Sequence, residues 1–162
     1  MALKPDRVVN PFGDDISFFM NEAAEKGGMV VMSTVGSGAA MDQSAALCTY
    51  ASNPSGKLPL GILMQDMVNK DLTQNRLNPF NGEVQIGGKV WLSTQGVVNT
   101  NMIYPGLTIA AQDAAYVGPS GLLQNVDVNT VATPIVGVFL SSKDADGYAK
   151  VRYNIPTATP RI

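Results

Sequence analysis

The chain reads as mainly β, a compact β-sandwich or barrel-like domain with an extended N-terminal arm and at most one short helix. Three observations lead there. From Met29 onward, short runs rich in Val, Ile, Leu, Tyr and Thr are punctuated by clusters of Gly, Pro, Asn and Asp. The last run alternates strictly, with Ala149, Val151, Tyr153 and Ile155 set against Tyr148, Lys150, Arg152 and Asn154, so one face is in and one is out. Only residues 15–26 carry a helical period. At 162 residues the chain is one domain that buries roughly 68–70% of the surface its unfolded form exposes, so it needs neither a metal nor a disulfide to fold.

Taken in order, residues 1–14 contain Pro5, Pro11, Gly13 and two adjacent acids, with Leu3, Val8, Val9 and Phe12 in no clean period. This is an extended arm, ordered only if it lies on something, or else a frayed terminus. Over 15–26, Asp14 or Asp15 can cap a helix whose face is Ile16, Phe19, Met20 and Ala23, with Gly27 and Gly28 as its stop. Phe18 falls off that face, so a strand through Phe18 competes with the helix. Strands are expected at Met29 to Val35, Ala45 to Ala51, Leu58 to Met64, Val84 to Ile86, Val90 to Val98, Leu107 to Ala111, Ala114 to Gly118, Ile135 to Leu140, and Tyr148 to Ile155. Gly87 and Gly88 mark a turn or bulge that uses a positive φ.

A faint duplication runs through these strands. Tyr50, Pro54-Ser55-Gly56 and Gly61 before Ile62-Leu63-Met64 are echoed by Tyr116, Pro119-Ser120-Gly121 and Gly137 before Val138-Phe139-Leu140. The domain at 15–162 then divides into two related lobes, about 29–98 and 106–155, unless the turn residues coincide by chance.

Composition removes several classes of function. With no histidine, mechanisms built on a Ser-His or Cys-His base or on His-ligated zinc are impossible. A formal charge of -2 and a pI near 4.9 oppose binding to nucleic acid, whose non-specific affinity comes from clustered Lys and Arg. The apolar runs fall far short of the ~18–20 residues that cross a bilayer. No apolar stretch follows Lys4 and Arg7, so no secretory signal is read and synthesis in the cytoplasm is expected. Charged residues make up 15% of the chain, against about 25% in an average domain. Between Trp91 and Ser142 only Asp113 and Asp127 are ionised. Such a stretch is buried, or covered by another protein, or a neutral wet β-surface.

No motif adds up to a catalytic centre, and no cofactor or metal is implied. Asp144, Asp146 and Gly147 have two carboxylates at calcium-loop spacing, but a third oxygen ligand and a downstream Glu are missing. Asp146-Gly147 reads instead as a hairpin turn. Gly36-Ser37-Gly38 and Gly87-Gly88 lack the Lys-Ser/Thr and the helix of a phosphate cradle. Cys48 has no neighbouring base in sequence and reads as core. Trp91, Tyr104 and Tyr116 could stack on a sugar, but suit a core equally. An enzyme of nucleotide metabolism would need paired carboxylates around a metal, for which Asp66 and Asp71 are the nearest candidates.

The order of motifs along the chain resembles the head decoration, or capsid cement, proteins of tailed bacteriophages. The matching pieces are Glu22 to Val31, Leu60 to Met64 with Asp66 to Leu72, Glu83 to Val90, Ala115-Tyr116-Val117-Gly118, Thr133 to Leu140, and Asp144 to Val151. Together they span about residues 16–153. The resemblance implies a β-tulip-like fold, no enzymatic activity, and a place on the outside of the virion capsid. It implies two partners, the major capsid protein and the chain itself, as a homotrimer. Leu3, Pro5, Val8, Val9 and Phe12 become the candidate capsid contacts, through backbone pairing with an exposed edge. The alternative is a receptor- or carbohydrate-binding β-module of a virion surface, using exposed aromatics.

Overall fold

The computed structural model describes residues 15–36, 46–70, 82–127 and 133–155. Five strands close a barrel: β1 (Asp15–Met20), β2 (Met29–Gly36), β3 (Ala46–Thr49), β4 (Pro59–Leu63) and β7 (Lys89–Ser93), in the order β1-β3-β2-β4-β7. All its pairs are antiparallel except β1 with β3. Between β4 and β7 the chain forms a two-stranded parallel ribbon, β5 (Asp66–Val68) with β6 (Glu83–Gln85). It then crosses at Thr94 into a second sheet of five strands. These are β8 (Gln95–Thr100), β9 (Ala114–Val117), β10 (Leu123–Gln124), β11 (Gly137–Phe139) and β12 (Ala149–Asn154), ordered β10-β9-β11-β12-β8 and antiparallel throughout. The mainly β reading therefore holds.

The helix expected over 15–26 does not form. Residues 15–20 are strand β1, and the only helical piece among the described residues is a 3-10 turn at Pro119–Gly121. The reason is the period of the buried side chains. Ile16, Phe18 and Met20 all pack into one core, a spacing of two. Phe19, on the other face, lies under the Lys89 ammonium at 5.1 Å. Pairing with β3 and β7 also removes both edges of β1, which local helix propensity cannot offer.

Two cores result from alternation. Met20, Val30, Cys48, Leu60, Leu63, Val90 and Leu92 come from all five barrel strands and fill its interior, with Met67 of the ribbon. Met29, Val31 and Ile62 point the other way, out of the barrel, and pack with Val98, Phe139, Val151 and Tyr153 of the second sheet. Strand β4 serves both cores through a bulge: Val31 pairs with Pro59 and Val30 with Gly61, leaving Leu60 as the extra residue. Leu60 and Leu63 thereby face the barrel while Ile62 faces the second sheet.

The run Val90 to Val98, expected as one strand, belongs to both sheets. Leu107 to Ala111, also expected as a strand, is a loop from which Ile109 alone is buried. Its turn is held by Asp113, whose carboxylate accepts the Ala110 N–H at 2.9 Å and the Asn125 side-chain amide at 2.8 Å. These two donors hold the Asp113 carboxyl below its ordinary range. Because the folded value is depressed, this contribution is complete above the unfolded value of about 3.9 and is lost as pH falls through the folded one. A carbon-detected NMR titration is expected to give Asp113 a midpoint below about 3.9, with the Ala110 amide shifting in step.

The two Pro-Ser-Gly segments make similar turns. The Pro54 carbonyl accepts the Lys57 N–H at 3.0 Å and the Pro119 carbonyl accepts the Leu122 N–H at 3.2 Å, with Gly56 and Gly121 both at positive φ. The sheets around them differ, one a closed barrel and the other open.

Polar ties join the layers. The Tyr153 hydroxyl donates to Ser93 Oγ at 2.8 Å, and Thr100 Oγ1 donates to the Gly27 carbonyl at 2.9 Å, both buried. Tyr50 is the third tie. Its hydroxyl donates to the Glu25 carbonyl at 2.8 Å and accepts the Gly28 N–H at 3.0 Å, while the Ser120 N–H donates to the Ala51 carbonyl at 2.7 Å.

Candidate functional site

The candidate capsid contacts Leu3, Pro5, Val8, Val9 and Phe12 lie outside the described residues. Asp15, the first described residue, opens β1 opposite Ser93 of β7.

The turn candidates are all placed. Gly87 has φ +89, and its N–H donates to the Met20 carbonyl at 2.8 Å. Gly88 has no room for a Cβ, which would lie 2.7 Å from Val84 Cγ1, and its carbonyl accepts the Met20 N–H at 3.2 Å. The pair folds β6 back into β7 and rests on the end of β1. Asp146 and Gly147 belong to a turn in which the Asp144 carbonyl accepts the Gly147 N–H at 3.0 Å and Gly147 takes φ +85. Asp144 Oδ1 accepts the N–H groups of Asp146 and Tyr148 at 3.0 and 2.8 Å. That carboxylate is therefore engaged with its own backbone, in the manner of a hairpin connection with a glycine bulge.

The acids do not converge on a centre. Asp66 accepts the Lys26 N–H at 2.8 Å and lies 3.5 Å from its ammonium. Glu83 pairs with Lys70. Asp71 lies outside the described residues. Glu22 is structural, its Oε1 accepting from Thr49 Oγ1 at 2.7 Å and from the Tyr50 N–H at 2.5 Å. Among the described residues no group of three or more Cys, Asp or Glu could hold a metal ion, and no helix is long and apolar enough to cross a membrane.

Cys48 sits in the barrel interior at 2% exposure. Burial, reinforced by the nearby Glu22 charge and opposed by a backbone hydrogen bond, pushes its thiol up to about 12. The nucleophilic thiolate is thus scarce at neutral pH. An Ellman assay of native protein under mildly alkaline conditions is expected to find the thiol almost unreactive, and to count one per chain in denaturant. Prompt native reaction would place the thiol elsewhere.

What the molecule does present is apolar surface. The exposed large hydrophobic side chains among the described residues are Trp91, Tyr104, Val126, Ile135 and Leu140. All five fall in the weakly charged stretch between Trp91 and Ser142. Trp91 stands on the outer face of the barrel, while its backbone N–H donates to Gln65 Oε1 at 3.0 Å. Ile135 and Leu140 flank β11 on the second sheet. Sequence reasoning misses Ile135 and Leu140, because both sit in an apolar run that reads as continuous core. The run carries no period-two signal that would find them: the buried Val136 and Phe139 are three residues apart, and Ile135 and Leu140 lie just outside β11 at either end.

No protein-family model matches this sequence, and no curated protein matches it.

Proposed function

We propose that this chain is a non-enzymatic structural protein of a tailed-phage virion. It binds the outer surface of the expanded icosahedral head, as a homotrimer, and cements neighbouring major capsid subunits. The observation that carries the binding half of this reading is the gathering of the exposed large hydrophobic side chains, among the described residues, into the one stretch nearly free of charge. A segment that exposes large apolar side chains and carries few charges favours being covered by protein. The capsid half rests on the ordered motif series from Glu22 to Val151. A cement acts by binding the expanded lattice better than the precursor or the free subunits, so its binding free energy adds to the stability of the expanded state. No bond is made or broken. Contacts to several subunits at once give avidity from individually weak patches.

Deleting residues 2–13 tests the contact assignment. The shortened protein is expected to keep its β-rich circular dichroism and to lose binding to expanded heads by roughly tenfold or more in a pelleting assay. Unchanged decoration would remove Leu3, Pro5, Val8, Val9 and Phe12 from the interface. Absence of the protein from purified virions by quantitative mass spectrometry would end the reading altogether.

A receptor- or carbohydrate-binding module is the second reading, favoured by one feature, the 42% exposure of Trp91 on the barrel wall. A sugar that raises the melting temperature, with the rise abolished by Trp91→Ala, would select it.

A further inference from the structure

The outer face of the second sheet carries a charge pattern that the cement reading leaves unused. Val138 pairs with Arg152 and Arg152 with Val97, so the three stand in one row across β11, β12 and β8. The next row, Gly137, Tyr153 and Gly96, directs the Tyr153 ring into the core. That row turns no side chain outward, which leaves a trough between the outward-facing rows on either side of it. The resulting groove has a volume of about 570 Å³ and is lined by Gln95, Val97, Ile135, Val138, Arg152 and Asn154 among others.

Among the described residues, Arg152 is the one ionised group lining this groove, and it is exposed. Its guanidinium makes no ion pair with a described residue. Half-buried valines flank it on both sides, and Ile135 at the groove's end is 54% exposed. Lys150, two residues earlier on the same strand, lies on the same face but in a separate depression beside Asp144. A molecule of net charge -2 thus shows a locally positive, aliphatic-sided slot. A guanidinium presents a planar fork that a carboxylate matches with two parallel hydrogen bonds.

We propose that this groove docks an extended polypeptide segment bearing a carboxylate side chain beside aliphatic ones. The carboxylate meets Arg152, and the aliphatic groups cover Ile135, Val97 and Val138. A second copy packed face to face would bring two Arg152 groups together, which opposes that occupant. Nucleic acid would leave the aliphatic walls uncovered. The inference does not depend on the capsid reading, because its test needs no particle.

The test is a ¹⁵N NMR titration of the full chain with acetyl-GIEVG-amide, and with the same peptide carrying Gln in place of Glu. The Glu peptide is expected to shift the amides of Gly96, Val97, Val138 and Arg152 at millimolar concentration, and the Gln peptide to bind roughly tenfold more weakly. Arg152→Gln is expected to abolish that difference. Arg152→Glu is expected to transfer the preference to a Lys peptide, and Ile135→Ser to weaken all of them. Spectral dispersion verifies folding of each variant. Equal shifts with the Glu and Gln peptides, or none at these residues, would overturn the proposal. So would the same shifts from a short single-stranded oligonucleotide, or dissociation of an oligomer on Arg152→Gln in sedimentation, which would assign the face to a nucleic acid or to a second copy.

Discussion

Replacing Tyr153 with alanine is expected to cost about 3–5 kcal/mol, the range for deleting a large buried aromatic side chain. Tyr153 is 2% exposed and is the largest fully buried side chain among the described residues. It packs where the second sheet meets Met29, Val31 and Ile62 of the barrel, and its hydroxyl donates to Ser93 Oγ at 2.8 Å. The substitution leaves a cavity between the layers, and Gly96 and Gly137 on the neighbouring strands have no side chains to fill it. Against a total stability of about 5–15 kcal/mol, such a loss is a large fraction. At roughly 2–4 °C per kcal/mol for a chain of this size, the melting temperature should fall by about 6–20 °C. Tyr153→Phe keeps the ring and loses only the hydrogen bond, about 1 kcal/mol. Equal losses for the two variants would mean that the ring is not the element that joins the layers.

Gly121→Ala is the second large effect. Gly121 has φ +76, and a Cβ there would lie 2.5 Å from Tyr50 Cδ1. The left-handed backbone costs a non-glycine residue about 1–2 kcal/mol, and forcing the ring aside adds about 1–3 kcal/mol. The ring has nowhere to go, since a Cβ on Gly28 would meet the Tyr50 hydroxyl at 2.7 Å and that hydroxyl is held by Glu25 and Gly28. Denaturant melts should show Gly121→Ala losing about 2–5 kcal/mol. The double variant with Tyr50→Leu should recover the steric part, so the two changes are expected to couple by more than about 1 kcal/mol. Strict additivity would separate Gly121 from Tyr50.

Turns and strands of this kind differ in how plainly the residues announce them. Pro-Ser-Gly announces a turn because proline presets φ and glycine accepts a positive one, both local properties. The alternation of Ala149 to Ile155 announces a strand with one wet face, and Lys150 and Arg152 do lie on that face. Asp15 to Met20 is less legible, since Ile16, Phe19 and Met20 fit a helical face and Ile16, Phe18 and Met20 fit a strand. Only the neighbours β3 and β7 decide between them. Nor does the sequence mark the Val90 to Val98 run as two strands, because leaving the barrel at Thr94 is a matter of which sheet each half pairs with. The Arg152 groove is the least legible feature, since its walls come from strands distant in the chain.

Residue order alone determined that the chain is β-rich, where most of its turns fall, that histidine chemistry is closed to it, and that its middle is nearly uncharged. These depend on local backbone preference and on inventory, which need no neighbours. The tertiary structure decided that five strands close on themselves while five others lie open against them, that Cys48 is sealed in, and that Ile135, Leu140 and Arg152 share one face. Pairing and burial join residues far apart in the chain, and the free energy that selects them exists only once those residues have met.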